Sequence, residues 1–131
     1  MFSRRIIYII IFCLYIAAVA YLCFAKPEDV PQLPELWFGL PADKVAHFTM
    51  FLPFPILGYI AFEVPQMNIW KRILLIIALI VIGLTAAICT EQMQAVLAYR
   101  SSEAKDLAAD ISGLICGGVT TFIYTFVKHR K

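Results

Sequence analysis

Eight polar residues stand at spacings that can do chemistry: Asp43, Lys44, His47, Glu91, Gln94, Arg100, Asp106 and Asp110. They fall into three clusters. Asp43 and His47 are four apart and share a helix face if a helix begins near Pro41. Glu91 and Gln94 are three apart, again one face, and Arg100 follows them. Asp106 and Asp110 place two carboxylates four apart. His47 with Glu91 or Asp110 can do general acid/base work, which makes these three the expected catalytic residues. Arg100 and Lys44 can hold a phosphate or carboxylate by charge-assisted hydrogen bonds. Asp43, Gln94 and Asp106 complete the expected substrate-binding set. There is no Ser-His-Asp ordering and no GxSxG elbow, so a carboxylate or a water would be the nucleophile. His47, Glu91 and Asp110 are ligand types that suit a metal. Their spacing is not diagnostic, and neither a metal nor another cofactor is expected.

These groups sit in a chain that water does not suit. Of its 131 residues, 62% are apolar or aromatic and only 15% are charged. The mean hydropathy is +0.83. A domain this small cannot bury so much apolar surface in its own core. That excludes a soluble enzyme, a secreted disulfide scaffold and a disordered chain. A net charge of +2 is too small to suggest nucleic acid. Cys13, Cys23, Cys89 and Cys116 all lie in apolar runs with no CxxC, so they read as small apolar residues. The length allows a single domain, residues 1–131.

A span needs about 20 apolar residues of helix. Four candidates meet that length: Ile6 to Ala25, Val45 to Phe62, Ile73 to Thr90 and Leu107 to Val127. None alternates as a barrel strand must. The fold class expected is all-α, an integral membrane bundle of four transmembrane helices. The first run continues past Ala18-Val19-Ala20 to Ala25, which reads as a retained anchor rather than a signal peptide. With the N-terminus inside, Arg4, Arg5, Lys71, Arg72, Lys128, Arg130 and Lys131 face the cytoplasm. Lys26, Lys44, Arg100 and Lys105 face out. The bias of 7 against 4 places both termini in the cytoplasm. Residues 26–44 form the longer outer loop, and its four prolines argue against a continuous helix there.

Charges inside a membrane are costly and read as functional by default. At 1.5 Å per residue, His47, Glu91 and Asp110 lie about 9, 10 and 12 Å below their helix ends at Pro41, Ala98 and the N-cap candidate Ser102. Three helices thus carry an ionisable group at one depth on the outer side. Gly113 and Gly117 share a face with Asp110, which turns that carboxylate toward close-packed neighbours. Pro53 and Pro55 free the carbonyls of Thr49 and Phe51 and predict a kink or break beneath His47. That break can open a pocket or be an ordinary kink. The polar groups can instead be helix-to-helix glue, pairing Asp43 with Arg100, Lys44 with Asp106 and Glu91 with His47. Trp37 and Trp70 read as interface anchors, with Tyr99 another or part of the site. The run Lys128-His129-Arg130-Lys131 reads as a headgroup patch.

The same residues, in this order, resemble the VanZ-like family of small bacterial membrane proteins. The likeness is carried by Asp43-Lys44-x-x-His47-Phe48-x-x-Phe51. It continues through Glu91-x-x-Gln94, Arg100, Asp106-Leu107-x-Ala109-Asp110, Gly113 and Gly117, covering about residues 43–117. The sequence departs from the family at Asp110, where the family usually has Asn. The resemblance implies a multi-pass protein of the cell membrane and cell envelope. It acts on or binds an envelope lipid or a cell-wall-related molecule, in a family named for teicoplanin-type glycopeptide antibiotic resistance. The partners implied are membrane lipids and a lipid-linked or glycopeptide ligand. A homo-oligomer stays open. The alternative is a non-catalytic binding or structural protein.

Overall fold

The computed structural model describes residues 2–24, 36–37, 39–96 and 104–129. The described residues are all-α apart from one short hairpin. Its helices are α1 (Phe2–Phe24), α2 (Ala42–Phe51), α3 (Pro53–Phe62), α4 (Ile69–Val96) and α5 (Ala104–Lys128). The hairpin pairs β1 (Leu36–Trp37) with β2 (Leu40–Pro41), Leu36 opposite Pro41. Gly39 turns it at φ 78°, a backbone region that favours glycine.

Taking α2 and α3 as one broken rod, four helices among the described residues are long and apolar enough to cross a membrane. Each extends beyond the apolar run seen in the sequence. The second begins at Ala42 rather than Val45, the third spans Ile69–Val96 rather than 73–90, and the fourth spans Ala104–Lys128 rather than 107–127. The first begins by Phe2 and is described to Phe24. The physical reason is that helix hydrogen bonding does not stop at a charge. Long polar side chains at a helix end can reach out of the apolar layer or pair with a neighbour. Hydropathy therefore marks the apolar layer and not the helix. Ile7, Leu14, Leu74, Val81, Ile82 and Phe126 all point outward, an exposed apolar surface that suits lipid better than water.

The break between α2 and α3 falls where Pro53 and Pro55 predict it. Leu52 keeps right-handed helical angles (φ −55°, ψ −46°), and its N–H still reaches the Phe48 carbonyl at 3.0 Å. The two halves therefore stay nearly one rod. Its α2 half packs extensively on α5, which also lies along α4. At the break the α5 backbone presses against α2 and α3. A Cβ on Gly113 would collide with the Phe48 carbonyl oxygen and lie 3.1 Å from the Leu52 nitrogen. One on Gly117 would collide with the Leu52 oxygen and approach Pro55 Cγ at 2.9 Å. So α5 occupies the space beside the kink, and the pocket that the prolines could have opened there is filled by glycine backbone.

The core lies one layer below, where Phe51, Phe54, Leu79, Ala87 and Leu114 meet. Helix α1 is joined to it from one side. Its Phe12 ring lies tilted against Phe54 at 5.5 Å and meets Phe62 edge-on at 5.7 Å, and the Tyr15 hydroxyl donates to the Met50 carbonyl. At the far end, Asn68 caps α4 by accepting from the Lys71 N–H at 2.9 Å.

Candidate functional site

The N-terminal turns of α2 and α5 bring two of the three clusters together. Lys44 Nζ donates to Asp43 Oδ2 and to Asp106 Oδ1, each at 2.6 Å. One turn deeper, His47 Nδ1 and Asp110 Oδ1 are 2.8 Å apart. His47 Nε2 lies 3.9 Å from Asp106 Oδ2, beyond hydrogen-bond range. The four-residue spacings produce this ladder. Asp43 and His47 rise along one face of α2, Asp106 and Asp110 along the facing side of α5, and Lys44 crosses between them.

Burial grades along the ladder. Asp43 is exposed at the rim, Lys44 and His47 are partly covered, and Asp110 is only 1% exposed. The glycines explain why Asp110 is deep. Gly113 and Gly117 carry α5 into backbone contact with α2 and α3. The carboxylate three residues before Gly113 is drawn in with them. A carboxylate so placed needs a donor, and His47 is that donor.

The third cluster, on α4, divides. Glu91 is 7% exposed and faces the bundle. The hydrogen bond of His47 goes to Asp110, however, so the pairing of His47 with Glu91 considered from the sequence is replaced by His47 with Asp110. The expected pairing of Lys44 with Asp106 is present. Gln94 is 2% exposed, and its Nε2 donates to the Cys23 carbonyl at 2.7 Å. Its side chain ties α4 to the last turn of α1, a role the substrate-binding reading did not include. The last four carbonyls of a helix lack an internal partner, and Cys23 supplies one of them. Arg100, with Tyr99 and Ser102, lies outside the described residues, as does the side chain of Trp37.

The ladder can do chemistry at one atom. A carboxylate on Nδ1 fixes the ring and its tautomer. Nε2 is then the nitrogen that can take up or release a proton, and among the described residues it makes no hydrogen bond. Beside it, Lys44 presents an ammonium suited to an anion. Among the described residues, no group of three or more His, Cys, Asp or Glu side chains is arranged to hold a metal ion.

Sequence reasoning passed over a second polar centre at the opposite end. Arg72 was counted as a loop charge, but it lies in the first turn of α4 and is 2% exposed. Its guanidinium donates to Glu63, to the Tyr59 hydroxyl at 3.1 Å and to the Met67 carbonyl at 3.1 Å. Lys128 Nζ approaches Glu63 from α5 at 3.7 Å. The signal was the short connection between α3 and α4, with opposite charges at its two ends. A six-residue link with a proline forces Glu63 and Arg72 together.

Comparison of the chain with protein-family models, with curated proteins and with solved structures finds no match. Function must be argued from the site itself.

Proposed function

We propose that this chain is a VanZ-like multi-pass protein of the bacterial cell membrane with both termini in the cytoplasm. Its His47 ladder acts on or binds an envelope lipid or cell-wall-related molecule at the outer face. The observation that carries the reading is His47 itself, oriented through Nδ1 by the buried Asp110 while Nε2 makes no hydrogen bond among the described residues and faces the Asp106 carboxylate that Lys44 also holds. A histidine serving only as packing would have little reason to leave one nitrogen with no partner nearer than 3.9 Å among the described residues. In this reading His47 moves the proton, Asp110 holds the ring and Glu91 adds negative charge. Lys44 and Arg100 hold an anionic headgroup. The link to teicoplanin-type resistance follows from the resemblance alone.

The experiment is a comparison of membrane lipids and muropeptides. A deletion strain is complemented with the parent gene, with His47→Ala or with Glu91→Gln. Deletion is expected to shift at least one lipid-linked species. His47→Ala and Glu91→Gln should each fail to restore it while the protein accumulates normally. A His47→Ala strain with the parent profile would remove the basis of the proposal. The orientation has its own test. A cysteine at Ser101 should react with a membrane-impermeant maleimide added outside, and one at Met67 only after the cells are opened. The reverse pattern would move the site to the cytoplasmic face.

A second reading has one observation in its favour. Lys44, Asp43 and Asp106 satisfy one another, and Gln94 is spent on α1. A purely structural network would look the same at those four residues, and it differs only at His47.

A further inference from the structure

At the end of the bundle opposite His47, a cleft of about 410 Å³ opens between the first turns of α1 and the link from α3 to α4. Arg4, Arg5 and Tyr8 form one wall, and Ile60, Glu63 and Gln66 lie across from them. We propose that this cleft binds the phosphate of an anionic phospholipid headgroup.

Three observations converge on that chemistry. Arg4 and Arg5 are exposed, and neither has a carboxylate within ion-pairing distance among the described residues. The one acid in the cleft, Glu63, is already engaged by Arg72 and Lys128, so its charge is countered before a ligand arrives. Two planar guanidiniums lining the one cleft then offer forked donors that match phosphate oxygens. The depth is right as well. The apolar run of α1 begins at Ile6, directly after them, so both arginines stand at the headgroup level of a bilayer. Trp70, exposed at the same end, suits that level too.

The apolar side chains select a lipid over a free anion. Tyr8 and Ile60 line the cleft, Tyr8 one turn along α1 from Arg4 and Arg5 toward the apolar layer and Ile60 one turn back along α3 from Glu63. The cleft is therefore polar toward the water and apolar toward the membrane. An amphiphile can place its phosphate on the arginines and its first chain carbons against Ile60. Inorganic phosphate would use only the first half. In the proposed orientation this end faces the cytoplasm, the side on which anionic headgroups attract basic residues. The cleft is independent of the His47 ladder.

The test uses the full-length protein in an uncharged detergent. Native mass spectrometry follows retention of dioleoylphosphatidylglycerol against dioleoylphosphatidylcholine. The parent should retain the anionic lipid preferentially. Arg4→Gln with Arg5→Gln should weaken that retention roughly tenfold or more, with helix content unchanged. Lys71→Gln with Lys105→Gln removes the same charge at exposed residues outside the cleft and should leave retention near the parent value. Ile60→Trp fills the apolar half and should also lower retention, which keeps the test open if the arginine variant does not fold. Excess inorganic phosphate should not displace the lipid. The proposal fails if the arginine variant retains the lipid as the parent does, or if the Lys71/Lys105 control loses as much. It fails also if free phosphate displaces the lipid, which would make the cleft a site for a soluble anion.

Discussion

Replacing Gly117 with leucine should remove most of the folded protein from the membrane. The Leu52 carbonyl oxygen and Pro55 occupy the space that a first side-chain carbon would need. Both belong to backbone or to a rigid ring, so neither can swing aside as a flexible side chain would. Overpacking of an ordinary core costs about 1–3 kcal/mol. Here α5 as a whole must move off α2 and α3, so the cost lies at or above the upper end of that range. Gly117→Ala should give an intermediate loss. Cys116→Leu is the matched control, because Cys116 is the adjacent residue and faces outward. It should leave abundance unchanged. Abundance in membranes and the thermal midpoint in detergent are the measurements. A Gly117→Leu protein as abundant and as heat-resistant as the parent would mean that the close approach of α5 to the break is not what holds the bundle.

That close approach also shows where the sequence stops being informative. Four apolar runs of spanning length are unmistakable, because the solvent they need is set by composition. The register of Asp110 with Gly113 and Gly117 could also be read, since a helix fixes which residues share a face. Two prolines announced the break. What filled the break could not be read, because it depends on how far α5 rotates and slides against α2. The same rotation decides that His47 meets Asp110 rather than Glu91, although all three stand at similar depth. Gln94 looked like part of the site because it is polar and one turn from Glu91. Its partner, a carbonyl of α1, is a backbone group that no side-chain pattern marks. Arg72 was misread for the opposite reason. Counting it as a loop charge for orientation discarded the proximity that the short link beside Glu63 imposes.

The remaining large effect separates a working site from a structural one, and it centres on Lys44 and Asp106. Their 2.6 Å contact bridges α2 and α5 with Asp106 nearly buried and Lys44 partly covered. Lys44→Met leaves the Asp106 charge without its crossing partner. Asp106→Leu does the same to Lys44, which keeps Asp43 at the exposed rim. Removing one partner of a buried pair costs about 3–5 kcal/mol, against about 0–1 for an exposed pair. Partial exposure puts Lys44→Met between these limits, with Asp106→Leu the milder of the two. Joining both changes removes the stranded charge, and replacing an ion pair by apolar side chains of similar size is often neutral or stabilising. The double variant should therefore regain the parent's thermal midpoint. Its activity should not return with it. The ammonium beside His47 Nε2 and the carboxylate 3.9 Å from that nitrogen are both gone, and no apolar pair can hold an anionic headgroup. Stability and the lipid or muropeptide phenotype should thus part company in one protein. If the double variant recovers both together, the ladder only joins helices, and the assignment of a site to His47 is wrong.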